Sequence, residues 1–180
     1  MMRPWFIIFL FLSGCHTGQQ NRVNENIQDF STTDASILFF KNLRSPYYER
    51  SENMNGSIHS YILKNRYRGN DRTVCQPLIN LQRYEDRASI TLTLIGHTGT
   101  ETDIWIDWKS ALTGNHGEIA FNLNDKDHSR PAIEIYNHLI SGTDFILRIG
   151  NNKADILQNR EDRESFRITL VDFLRLIESY

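Results

Sequence analysis

The chain has 180 residues, of which 39% are hydrophobic, 23% charged and 11% aromatic. That supports one buried core of ordinary single-domain size, and with only 10 Gly and 4 Pro it fits neither a disordered tract nor collagen. A total of 20 Lys and Arg against 22 Asp and Glu gives a net charge of −2, which removes the electrostatic basis for a dedicated nucleic-acid binder.

The first 14 residues have the layout of a secretory signal. Arg3 supplies the basic start, Trp5 to Leu12 form an apolar run too short to remain as a membrane span, and the small Ser13 and Gly14 follow. Leu12-Ser13-Gly14-Cys15 resembles the lipobox of bacterial lipoproteins. The resemblance implies that residues 1–14 are removed and that Cys15 carries the lipid, so that the membrane itself is the first partner. Each buried methylene of an acyl chain contributes about 0.8 kcal/mol, and three chains hold firmly. His16-Thr17-Gly18, with no Asp after the Cys, points by analogy to the periplasmic face of the outer membrane in a bacterial cell envelope.

From Cys15 onward the chain carries 19 basic and 22 acidic residues. Residues 15–33 are polar and aperiodic and read as a flexible tether, with a single globular domain over 34–180. With Cys15 lipidated, Cys75 has no partner within the chain. It shares one face of an extended segment with Ile79 and Leu81, which predicts a buried, inert thiol.

Within the domain, Ile37-Leu38-Phe39-Phe40, followed by residues 41–44, is apolar on both faces, which suits a strand buried on two sides or a short helix capped by Thr33 or Asp34; the strand is the favoured reading. Residues 49–56 read as a loop, 59–67 as a second strand, and 69–71 as a turn before the Cys75 segment. The middle is clearer. Ile90, Leu92 and Leu94 alternate with Thr91 and Thr93; Ile104, Ile106 and Trp108 alternate with Asp103, Trp105 and Asp107; Ile119, Phe121 and Leu123 repeat the pattern. Short polar connections make an antiparallel meander the simplest arrangement of these three strands. Next comes a helix with Pro131 in its first turn, an apolar stripe of Ile133, Tyr136, Leu139 and Ile140, and Gly142 as its stop. Residues 145–149 and 153–157 form a hairpin about Gly150. A last helix over 161–179 carries Phe166, Leu170, Phe173, Leu174 and Ile177 on one side. The expected fold is therefore α+β: an antiparallel β-sheet or β-sandwich of about seven to nine strands with two late helices, the last C-terminal.

The sequence contains no Gly-x-Ser-x-Gly elbow, no His-Glu-x-x-His, no Walker loop and no dinucleotide fingerprint, so no motif argues for catalysis, although catalytic groups can also assemble from distant residues, and no cofactor is expected. Gly96-His97-Thr98-Gly99 and Gly114-Asn115-His116-Gly117 read as turns between strands. Two surface features deserve weight: aromatic Tyr47, Tyr48 and Trp105 as a stacking platform for sugar rings, and a basic face of Arg44, Arg50, Lys64, Arg66, Arg68 and Arg72. One metal site is constructible. If the meander holds, its first and third connections share a sheet end, bringing His97 and Glu101 towards Asp125, Asp127 and His128, a donor set for zinc or, through its oxygens, calcium. The function these features suggest is a non-catalytic, membrane-tethered envelope lipoprotein that binds a protein partner or an envelope polymer. A small envelope hydrolase and a carbohydrate-binding module are the competing readings.

Overall fold

The structure is a computed structural model describing residues 22–24, 27, 29–97 and 99–179. The signal-like stretch, Cys15 and much of the tether lie outside the described residues. The fold is α+β: two antiparallel sheets of four strands each and three helices among the described residues, the last of them C-terminal.

The domain opens with a helix where a strand was expected. Thr33 and Ser36 form a reciprocal capping box, each side chain bonded to the other's backbone N–H, and this starts helix α1 (Asp34–Phe39). A π turn (Phe40–Arg44) and a 3-10 turn (Ser45–Tyr47) continue it. Ser36 and Phe40, one turn apart, face inward, whereas Leu38, Phe39 and Leu43 face out, so the two-sided apolar pattern reflects an exposed apolar surface and not a doubly buried strand.

The first sheet has the order β1-β2-β3-β4, with β1 (Tyr48–Glu52), β2 (Ile58–Leu63), β3 (Val74–Gln82) and β4 (Arg87–Ile95). The segment read as a loop is thus edge strand β1, whose last three residues are exposed and carry no alternation. The second sheet has the order β6-β5-β7-β8, with β5 (Asp103–Ser110), β6 (His116–Asn122), β7 (Thr143–Ile149) and β8 (Asn152–Ile156). The expected meander therefore holds only for its second hairpin. Strands β4 and β5 belong to different sheets, and β5 pairs with β6 on one side and β7 on the other, setting Ile106 opposite both Ile119 and Leu147.

Helix α2 (Ser129–Ile140) packs on β4, β6, β7 and α3, and so joins the two sheets. Helix α3 (Arg160–Leu176) lies across β2, β3 and β4. The apolar faces read from the alternation meet here: Ile79, Leu81, Ile90 and Leu92 from one sheet, Ile104, Ile106, Phe145 and Leu147 from the other, and Phe166, Leu170, Phe173 and Leu174 from α3 are all buried. At roughly 25 cal/mol per Å² of apolar surface removed from water, this shared core is the main stabilising contribution.

Candidate functional site

An apolar cleft of about 830 Å³ lies between the end of the α1 segment and the first turns of α3. One wall is Arg44, Pro46 and Tyr47. The floor is Leu63 to Asn65 where β2 runs out, and the far wall is Arg160, Glu161, Glu164, Ser165 and Ile168. On the same segment, outside the cleft, Leu38, Phe39 and Leu43 are 59%, 43% and 57% exposed, and Tyr47 is 58% exposed.

The near wall is fixed from behind. Arg44 donates through Nε to both oxygens of Asp172, at 2.8 and 3.0 Å, and the Tyr48 hydroxyl donates to the same carboxylate at 2.8 Å. Hydrogen bonding to Asp172 holds the Arg44 guanidinium firmly protonated, and burial beside that carboxylate pushes the Tyr48 phenol well above its ordinary range. At the rim, Lys64 donates to the Pro46 carbonyl at 2.8 Å, and Arg167 grips Glu164 through two nitrogens at 2.6 and 2.8 Å. That grip lowers the Glu164 carboxyl below its usual range and keeps it an anion, the wrong state for a proton donor. The cleft is thus equipped to seat an apolar group and orient it through fixed charges.

The metal donors expected from the sequence are not brought together. His128 is 1% exposed, and both ring nitrogens serve the backbone. Nδ1 accepts the Leu92 N–H at 2.9 Å, and Nε2 lies 2.9 Å from the Asn122 carbonyl, to which it donates. Asp127 accepts the Ser129 N–H at 2.8 Å at the start of α2 and meets Arg87 at 3.4 Å, while Asp125 is exposed. His97 and Glu101 lie near Gly99 on the connection between the two sheets. Among the described residues no group of three or more His, Cys, Asp or Glu side chains has the arrangement to hold a metal ion.

The remaining features sort as follows. Cys75 is 1% exposed, and burial pushes its thiol up to about 12, as an inert core residue requires. Gly96 and Gly114 adopt φ of +80° and +73°, and a side chain at Gly96 would collide with the Arg72 backbone; the second Gly-x-x-Gly is a turn only at its start, since His116 and Gly117 already belong to β6. The aromatic platform does not assemble: Tyr47 is outward, Tyr48 is 3% exposed, and Trp105 belongs to the other sheet. The basic face is largely paired. Arg44 meets Asp172, Arg50 meets Glu52, Arg66 and Arg68 share Glu49, and Arg72 meets Asp162.

Sequence reasoning missed the cleft because its walls come from three separate segments, and only the exposed run at 38–43 hinted at it. Comparison with protein-family models, curated proteins and solved structures gave no match.

Proposed function

We propose that this chain is a non-catalytic lipoprotein of a bacterial cell envelope, anchored through Cys15 and facing the periplasm from the outer membrane, whose domain binds a partner protein through the α1–α3 cleft. The observation that carries the binding reading is the apolar cleft walled by the outward Tyr47, with Leu38, Phe39 and Leu43 of the same α1 segment also left exposed. Such a surface costs solubility when left in water, and a partner that covers it recovers the apolar burial. Charged side chains at the rim, among them Lys64, Arg160 and Glu161, add orientation more than affinity. The lipobox-like Leu12-Ser13-Gly14-Cys15 supports the anchor.

Two arms test this reading. Cys15→Ser is expected to abolish incorporation of labelled fatty acid and to release the protein from membranes or leave it unprocessed; a variant that is labelled and sediments like the parent overturns the anchor. A photo-crosslinking residue at Tyr47, in the protein expressed in its envelope, is expected to give one discrete adduct that Ile168→Arg abolishes. An adduct indifferent to Ile168→Arg, or none at all, overturns the cleft as the binding surface.

A further inference from the structure

A second, smaller concavity of about 410 Å³ lies where the α1 segment covers the margin of the first sheet, and its chemistry is the reverse of the cleft's. Arg50 and Tyr61 are direct partners across β1 and β2, as are Glu52 and His59, so all four side chains share the face that the π turn covers. Lys41 and Ser45 from the π turn and the 3-10 turn form one side of the pocket, and Arg83 from the β3–β4 turn forms another. Three permanent cations thus meet over a floor of His59 and Tyr61.

Their negative charge is supplied by one residue. Glu52 pairs with Arg50 and lies 3.2 Å from His59 Nε2, whereas Lys41 and Arg83 make no ion pair among the described residues. His59 is 4% exposed and its Nδ1 has no hydrogen-bond partner among the described residues. The Tyr61 hydroxyl likewise makes no hydrogen bond there. A buried polar atom without a partner is destabilising, and unpaired cations converging on one hollow raise its potential. Phe40 packs edge-on against Tyr61, ring centroids 5.1 Å apart, beside this cluster.

We propose that this pocket binds a phosphate-type oxyanion, gripped by Lys41, Arg50 and Arg83 with His59 at its floor. Arg83 and Arg50 approach from different elements, which suits the several oxygens of a phosphate better than a single carboxylate. The pocket has more room than one inorganic ion fills, so a phosphate carried on a larger molecule also fits. Charge completes the argument. In the free protein, burial first and then Arg50 hold the His59 pKa below its ordinary value, with Arg83 and Lys41 adding to the shift and Glu52 opposing it. A bound dianion offsets those cations and favours the imidazolium, so binding and protonation of His59 reinforce one another. This site is independent of the cleft and of the anchor.

The test uses the full chain in neutral detergent at low ionic strength, with inorganic phosphate as the probe. Saturable binding is expected, weakened about tenfold or more by Lys41→Gln with Arg83→Gln, as loss of charge-assisted hydrogen bonds requires, and unchanged by Lys153→Gln on the far sheet. The two pocket residues are surface groups, and an unchanged thermal midpoint of the double variant confirms that its fold is intact. The NMR titration midpoint of His59 is expected to rise when phosphate is added. The same measurement in micelles doped with short-chain phosphatidic acid identifies the source: a rise that free phosphate also produces indicates a soluble ligand, and a rise confined to the phosphatidic acid indicates a lipid headgroup. A His59 midpoint that neither addition moves, or phosphate binding weakened equally by Lys153→Gln, overturns the proposal.

Discussion

The Tyr48 hydroxyl and the Asp172 carboxylate meet at 2.8 Å although 124 residues of chain separate them. Asp172 is 2% exposed, and Arg44 reaches the same carboxylate, so one buried anion ties edge strand β1 and the α1 segment to the last helix. Removing a single partner of a buried pair is costlier than replacing the whole pair, because the survivors stay desolvated. Asp172→Ala is therefore expected to cost about 3 kcal/mol, the lower end of the usual range because Arg44 is partly open to water. Asp172→Asn, which still accepts from Tyr48, is expected to cost less. Urea denaturation of both variants checks this ordering, and equal midpoints would show that the latch is not charge-dependent.

Phe173, one residue further along α3, is fully buried and lies 5.9 Å, ring to ring, from Phe30 in the segment that enters the domain. Its ring packs within the core shared by α3, the first sheet and the segment that enters the domain. Phe173→Ala is expected to destabilise the domain by about 3–5 kcal/mol, measured as a lower denaturation midpoint with an unchanged slope. A loss well under 1 kcal/mol would mean that the site collapses around the smaller residue.

Legibility in the sequence followed periodicity. Helix α3 and strands β4 to β6 were readable because each buries one face and leaves the other half-open, and Gly142 at φ +73° ended α2 where a left-handed cap was expected. In the α1 segment Leu38, Phe39 and Leu43 stay outside and blur the stripe, which favours the strand reading, whereas the Thr33-capped helix, the alternative, is what forms. Nothing in residues 96–102 announces that the chain changes sheets there, and the metal site fell with the meander. Both concavities were illegible for a common reason: Tyr47, Leu63 and Ile168, like Lys41, His59 and Arg83, become neighbours only through packing.

His59 gives the fold a pH dependence of definite sign in phosphate-free buffer. Burial lowers its folded pKa, whereas the unfolded chain takes up the proton near pH 6.5. Between those two values the unfolded state binds more protons, so stability falls as the pH drops below about 6.5, and the residue contributes no slope above it. Glu49 acts in a different window. Hydrogen bonds from Arg66 and then Arg68 hold it at about 2, so its contribution is present above its ordinary carboxyl pKa and fades only on stronger acidification. Thermal midpoints from about pH 8 to about pH 5 are expected to decline on the acid side, and His59→Gln is expected to flatten that decline. An unchanged slope in the variant would assign the effect to another group.

His128 is the last prediction, because it separates a structural histidine from a metal ligand. Its ring bridges β4 and the end of β6 just before α2 begins, accepting from Leu92 and donating to Asn122. The backbone around it depends on that bridge: the His128 N–H donates to the Ile90 carbonyl at 2.7 Å, and the neighbouring Ser129 Oγ accepts the Ile90 N–H at 2.9 Å. Together these bonds seat the first turn of α2 on β4. His128→Ala leaves the Leu92 N–H and the Asn122 carbonyl without their partner, at roughly 1–3 kcal/mol for each buried group, so a total loss of about 2–6 kcal/mol is expected. A ligand that binds only the native state raises its thermal midpoint, but an imidazole already bonded through both nitrogens must break one bond to take a metal. Zinc or calcium at about 1 mM is therefore expected to leave the midpoint of the parent protein where it is. A rise with zinc that His128→Ala removes, in a variant whose own midpoint in metal-free buffer is unchanged, would reverse the assignment and make the ring a ligand.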